Sequence, residues 1–381
     1  MIETAEGIGS VSERMARSVM GRYRPEEVRW HYEHGLVLQS IFLLGLRTGQ
    51  EEFCSYVKSM YDTKITPEGE ILTYRESEFN LDQVNPGKVL FLLYDKYGEE
   101  KYRIAIDKLR EQLRNHPRTK AGGFWHKQIY PWQMWLDGLY MQGPFYAQYA
   151  ARFGDAADFK DIALQFTVIE SKARDGETGL LYHAWDESRG MKWANPDTGC
   201  SPHFWGRALG WYCMALMDVL DFVPPSCREA ADSLVAIARR LVAPLLKYQD
   251  SQTGLWYQVL DRGGDAGNYT ESSASSMFAY FLFKMLRLGL VPKDDVERVG
   301  LAADKAYAGL LAKLRQDPAG ASVPGGELHL TDICAVAGLG GTPYRDGSYE
   351  YYVGEAVAED DFKGVGPFIL ASMEKEGLFR T

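Results

Sequence analysis

The chain has 381 residues, a net charge of −10 and a hydrophobic fraction of 46%, which is length enough to bury a large core. The acidic balance argues against nucleic acid or a membrane surface as the main partner, and no apolar run reaches the roughly 18 residues needed to span a bilayer. Met1 to Met20 lack the apolar core of an export signal, so a cytoplasmic location is expected, and the dispersed cysteines (Cys54, Cys200, Cys213, Cys227, Cys334) read as reduced core residues.

Helical periodicity runs from end to end and predicts helices over 8–22, 28–47, 50–62, 84–97, 99–115, 133–153, 155–173, 204–222, 226–249, 271–289, 293–315 and 363–376. Strand-like alternation is confined to short pieces. Nothing between the helices reads as a linker. The Pro/Gly-rich stretch 317–348 contains the apolar run Ile333 to Leu339 and is read as a long structured loop, so one domain over 1–381 is expected.

The connections alternate in length. Short turns such as Tyr97-Gly98, Gly154-Asp155 and Pro224-Pro225 precede the odd helices, and long loops (63–83, 116–132, 174–203, 250–270, 316–362) precede the even ones. Six helical hairpins with their long loops on one side describe an all-α ring, an (α/α)6 barrel. Its mouth gathers the N-terminal ends of the inner helices, whose free N–H groups and partial positive charge favour an anionic ligand. A weak repeat agrees with this: TGLLY at Thr178–Tyr182 and TGLWY at Thr253–Tyr257 stand 75 residues apart, each followed by an aspartate, Asp186 and Asp261.

Aromatic residues make up 13% of the chain, with 9 Trp and 23 Tyr. Many lie beside glycines and polar residues rather than in helical stripes, as in a ring-lined carbohydrate cleft. The densest stretch is GGFWHKQIYPWQMWLDGLYMQGPFYA, from Gly122 to Ala147. Asp137 lies there among Trp135, Leu136, Leu139, Tyr140 and Met141, where desolvation favours the protonated form that a general acid needs. A plain helix-capping role is the competing reading. Asp82, in EFNLDQVNPGK, is a second carboxylate before an even helix, although Asn80 and Asp82 also form an ordinary helix-start signal.

His126, His183 and His203 occupy long loops. No HExxH or HxH spacing accompanies them, so hydrogen bonding to a carboxylate or hydroxyl is expected rather than metal binding. Arg207, in FWGRALGW, lies between Trp205 and Trp211 and suits a bidentate grip on a carboxylate. No GxxxxGK[ST], strand-linked GxGxxG or GxSxG occurs, which removes the best support for phosphoryl transfer, dinucleotide chemistry and serine hydrolysis.

Together, EFNLDQVNPGK, GGFWHKQIYPWQMWLDGLYMQGPF, LYHAWD, SPHFWGRALGW and YTESSAS resemble glycoside hydrolase family 105, the unsaturated rhamnogalacturonyl hydrolases, from Trp30 to about Phe368. Family 88, the unsaturated glucuronyl hydrolases, shares the six-hairpin barrel. The resemblance implies release of a 4,5-unsaturated uronic acid from lyase-made oligosaccharides by hydration of its double bond, without metal or organic cofactor. It implies Asp137 as the acid/base and Asp82 near the sugar hydroxyls. It also implies substrate contacts by His126 and His183, a uronate-facing Arg207, and pocket rings at Trp205 and Trp211. Tyr32 is a less distinctive match, and Lys363 is placed at the mouth by position alone. The expected partner is a small acidic oligosaccharide, and with no heptad seam or exposed apolar stripe a monomer or weak homo-oligomer is expected. Three other readings stand: an unsaturated glucuronyl hydrolase acting on glycosaminoglycan- or ulvan-type oligosaccharides, an inverting glycosidase using Asp82 and Asp137 as a carboxylate pair, and a non-catalytic sugar-binding toroid.

Overall fold

The computed structural model describes residues 9–318, 323 and 325–379. Its helices are α1 Val11–Arg22, α2 Tyr32–Thr48, α3 Glu51–Asp62, α4 Gly87–Tyr97, α5 Glu100–Asn115, α6 Leu136–Phe153 and α7 Ala156–Ala173, followed by α8 Gly206–Leu220, α9 Arg228–Lys247, α10 Ser272–Arg287, α11 Val296–Ala312, α12 Tyr349–Gly354 and α13 Phe362–Lys375. Six of them close a ring: α2, α4, α6, α8, α10 and α13 each pack on the next, and α13 returns to α2. Outside it, α1 packs on α13, α3 on α2, α5 on α4, α7 on α6, α9 on α8 and α11 on α10. This is the six-hairpin barrel that the alternating loop lengths imply.

Side-chain pattern separates the two layers. Every residue of α8 from Gly206 to Val219 is buried, as an inner helix walled by neighbours requires. The outer α5 buries Tyr102, Ala105, Ile106, Leu109 and Leu113, a single stripe at three- and four-residue spacing. The short turns on the far side are set by local chemistry. Helices α2 and α4 end on left-handed Gly49 and Gly98, and Asp155 caps α7 by accepting from the Ala157 N–H at 2.7 Å.

Helix α2 meets the start of α4 at backbone contact. A Cβ built on Gly35 would lie 2.6 Å from the Cα of Pro86, and main chain cannot swing aside as a side-chain tip can. Gly35→Ala is therefore expected to cost about 2–3 kcal/mol, read as a lower urea midpoint. An unchanged midpoint would mean that the two helices slide freely at the mouth.

The repeat is a real structural unit. Thr178 and Thr253 each donate N–H and Oγ1–H to Oδ2 of the aspartate three residues earlier, Asp175 or Asp250, all at 2.7 Å. Gly179 and Gly254 both have φ of 75°, the left-handed geometry that glycine adopts freely. A third copy escaped the sequence pattern: Asn195 replaces the aspartate, accepting from the Asp197 and Thr198 N–H groups before Gly199 at φ 80°.

The structure departs from the periodicity mainly in the loops. Residues 133–135 form β1 (Gln133–Trp135), paired antiparallel with β2 (Ala184–Asp186), instead of opening a helix. Two further pairs are β3 (Leu314–Gln316) with β4 (Leu328–Leu330) and β5 (Ile333–Cys334) with β6 (Val357–Ala358). These pieces and the six-residue α12 are too short to show a period. No helix among the described residues is long and apolar enough to cross a membrane.

Candidate functional site at the barrel mouth

Each inner helix delivers a polar side chain to the same mouth. Tyr32 opens α2 and Asp82 lies on the turn before α4; Asp137, Arg207 and Lys363 are second residues of α6, α8 and α13, and Glu271 caps α10. Six helix starts thus lie at one mouth, where their dipoles favour negative charge.

Pairing of β1 with β2 places His183 against the start of α6, where the Leu136 N–H donates to the His183 carbonyl at 3.0 Å. His183 Nε2 then lies 3.2 Å from Asp137 Oδ2. The two atoms lack the alignment of a hydrogen bond, and both are buried without another partner among the described residues. The Asp137 side chain keeps 13% exposure and forms no ion pair with Lys or Arg among the described residues. It therefore belongs to the mouth, not to the helix packing. On its other ring nitrogen, His183 Nδ1 meets the Tyr352 hydroxyl at 2.8 Å.

Asp82 is in a different state. Asn80 caps its turn by accepting the Asp82 N–H at 3.0 Å, which leaves the carboxylate free to face Lys127 Nζ at 2.5 Å, His126 Nε2 at 3.6 Å and His31 Nε2 at 3.7 Å. Burial by itself pushes this carboxyl up, but Lys127, His126 and His31 outweigh it and hold it at about 2. His126 is pushed down to about 4, first by burial, against the pull of Asp82. Its ring stacks on Trp135 at 4.7 Å, and its main chain joins the Asp82 turn to β1 through Leu81 and Gln133.

A carboxyl lowered from 3.8 to about 2 on folding adds about 2 kcal/mol of stability, fully present above its unfolded value and lost as pH falls through about 2. Lys127→Met is accordingly expected to destabilise the protein by about 2–3 kcal/mol at pH 7, with the gap to wild type closing toward pH 2–3. Urea unfolding at both pH values checks this. A gap independent of pH would assign the loss to packing.

Arg207 is buried and lies 4.8 Å over the Trp205 ring. Its Nη1 donates to the Cys334 carbonyl and, at 3.4 Å, to Ser273 Oγ. Burial works against its charge, yet Cys334, Glu271, Tyr32 and Asp361 hold it firmly protonated. Glu271 is anchored in turn by the N–H groups of Ala274 (2.6 Å) and Cys334 (2.9 Å). Trp211 stacks on Tyr140 at 4.9 Å and receives Tyr32 edge-on at 5.9 Å. The Tyr32 hydroxyl makes no hydrogen bond among the described residues. Burial, then Asp82 and Glu33, raise its pKa well above the ordinary value, against Arg207.

The segment after β5 roofs this mouth. Arg345 donates to the Tyr130 hydroxyl at 3.1 Å, Tyr349 to the Ala266 carbonyl at 3.0 Å, and the Trp193 N–H to the Tyr344 hydroxyl at 3.0 Å. Each tie reaches a different long loop.

Asp137, Asp82, His126, His183, Trp205, Arg207, Trp211 and Tyr32 thus form one contiguous set. Lys363 reaches the mouth but is turned to Asp361 at 2.8 Å and Glu33 at 3.7 Å. His203 stands apart, edge-on to Tyr349 at 6.2 Å. Sequence reading passed over Lys127, Tyr352 and Glu271. Lys127 directly follows His126 in GFWHK, and Glu271 lies in YTESSAS; only Tyr352, in the poorly periodic 316–362 segment, carried no signal.

The family described as Glycosyl Hydrolase Family 88 matches residues 11–379. A solved structure, that of a family 105 glycoside hydrolase of C. acetobutylicum ATCC 824, is 44% identical with a TM-score of 0.91, covering 97% of this chain and 100% of that one. Protein Atu3128 of Agrobacterium fabrum is 43% identical over 240 residues, 62% of this chain and 99% of its own. The unsaturated rhamnogalacturonyl hydrolase YesR of Bacillus subtilis is 27% identical over 297 residues, 76% of this chain and 79% of its own. With that breadth of match over a six-hairpin barrel, the chain belongs to the glycoside hydrolases of the family 88 and family 105 group.

Proposed function

We propose that the protein releases a 4,5-unsaturated uronic acid from the non-reducing end of lyase-generated oligosaccharides by hydrating its vinyl ether, with pectic rhamnogalacturonan products as the preferred substrates. The whole chain works as one domain on oligosaccharides in the cytoplasm. Asp137 gives its proton to C4 and water adds its oxygen at C5. The spare proton of that water returns to Asp137. The C5 hemiketal opens to a ketone by breaking C5–O5, and the hemiacetal left at C1 releases the aglycone alcohol.

The observation that carries this reading is the division between the two carboxylates. Among the described residues Asp137 is paired with no Lys or Arg and is partly open, whereas Asp82 is held as an anion by Lys127. A vinyl ether needs one proton donor and a water, not the two cooperating carboxyls of an ordinary glycosidase. Asp82, ionised at neutral pH, does not suit the acid role that an inverting pair would give it. It suits hydrogen bonding to sugar hydroxyls together with His126. The remaining N–H groups of Arg207 and the helix starts receive the uronate, and Trp205, Trp211 and Tyr32 line its ring. The name of the Bacillus relative supports the pectic aglycone.

The test uses the ultraviolet absorbance of the conjugated uronate, which hydration abolishes. With unsaturated rhamnogalacturonan disaccharide the absorbance should fall as rhamnose appears, faster than with glycosaminoglycan- or ulvan-type disaccharides. Flat traces on all three, or equal cleavage of saturated glycosides, would refute the hydration reading; faster loss on a glucuronyl substrate would move the specificity.

A further inference from the structure

Tyr352 is fully buried on α12, and its hydroxyl has His183 Nδ1 as its single hydrogen-bond partner among the described residues. The ring is held from two directions. It stacks on Trp205 at 6.0 Å, and its own carbonyl accepts from Gln258 Nε2 at 3.0 Å. Gln258 Oε1 meanwhile accepts Trp205 Nε1–H at 3.0 Å, so one side chain fixes both aromatic walls. His183 lies between Trp205, at 4.8 Å, and Trp135, at 5.3 Å.

Counting hydrogens then decides the imidazole tautomer. A buried hydroxyl hydrogen without an acceptor is costly, and the acceptor in reach is Nδ1. Nδ1 must therefore offer its lone pair, and a neutral His183 carries its proton on Nε2, 3.2 Å from Asp137 Oδ2. The opposite arrangement strands the hydroxyl hydrogen of Tyr352 in a buried site. Oδ2 is buried whereas the Asp137 side chain as a whole keeps 13% exposure, so the open oxygen is Oδ1.

We infer that Tyr352 is a positioning residue that fixes the Nε2–H tautomer of His183, so that Asp137 Oδ2 faces this donor and Oδ1 is the oxygen that delivers and retrieves the proton. The inference rests on the hydration reading for its kinetic consequence but not for the tautomer itself. Contraction of the Asp137–His183 contact on substrate binding completes the donor alignment, as catalytic hydrogen bonds commonly tighten from the free enzyme.

The experiment compares wild type with Tyr352→Phe, which keeps the ring and its stacking on Trp205. Nitrogen-15 NMR of the ligand-free protein, with the His183 signals assigned by their loss in His183→Asn, should show protonated Nε2 and unprotonated Nδ1 in wild type. Tyr352→Phe should populate Nδ1–H, lower kcat about tenfold and leave KM within about twofold, since the pocket walls remain. Nδ1–H or an imidazolium in wild type at pH 7 overturns the proposal, as does a variant with unmoved tautomer and kcat. Wild type without turnover would sink the hydrolase reading while the NMR result still judged the tautomer.

Discussion

Asp137→Asn is expected to lower kcat on an unsaturated disaccharide by about a thousandfold or more, with substrate affinity within about threefold of wild type. The amide is isosteric at the second position of α6, so helix and β1–β2 pairing should persist. It can neither give a proton to C4 nor take one from water. No second carboxyl can substitute, because Asp82 is ionised and engaged by Lys127 at 2.5 Å. Binding should survive because Arg207, Trp205, Trp211 and the helix starts are untouched. Absorbance decay at enzyme excess measures the first quantity, and calorimetric titration of the inactive variant the second. If the variant kept wild-type turnover, Asp137 would be a capping residue and the acid would lie elsewhere. Loss of binding alone would instead favour a sugar-binding toroid.

The ring and most of its mouth were legible because one rule governed both. Long loops before the inner helices carry the polar and aromatic residues, and closing the ring brings those loops together. Asp137, Arg207 and Tyr32 lie at helix starts, where sequence position nearly fixes spatial position. His183 is legible for a related reason, since it stands between a recognisable repeat and the short strand β2. What stayed hidden depends on contacts that no local pattern encodes. The Tyr352–His183 hydrogen bond spans 169 residues, and Tyr352 is carried on a helix of under two turns. Lys127 reads in sequence as one solvated charge among many, and only the packing of its loop on the Asp82 turn makes it the counter-ion. The 133–135 strand was absorbed into a helix because its apolar residues run on into α6 without a break.

Lys88→Met is expected to stabilise the protein by about 3–4 kcal/mol at pH 6–7. Lys88, in the first turn of α4, is wholly buried, its Nζ has no hydrogen-bond partner among the described residues, and it lies 3.8 Å over the Tyr140 ring. Burial pulls the amine down from 10.5 to about 7, with Asp218 opposing and Lys284 assisting. Between those values the unfolded chain binds a proton that the folded one does not, so wild-type stability gains up to about 1.4 kcal/mol per pH unit as pH rises from 7 toward 10. Below pH 7 the native protein keeps the buried charge at nearly full cost. Methionine fills similar volume without that cost, so the advantage of Lys88→Met should be largest in mild acid and fade toward pH 10. Thermal unfolding of both proteins across pH 6–10 reads it directly, and a difference that does not vary with pH would show that the amine is not what sets the cost. The buried amine lies beneath an aromatic pair: Tyr140, which it faces, is the ring on which Trp211 stacks. With the cation–π contact gone, that floor loosens, and the stabilised variant should show a higher KM for the unsaturated disaccharide.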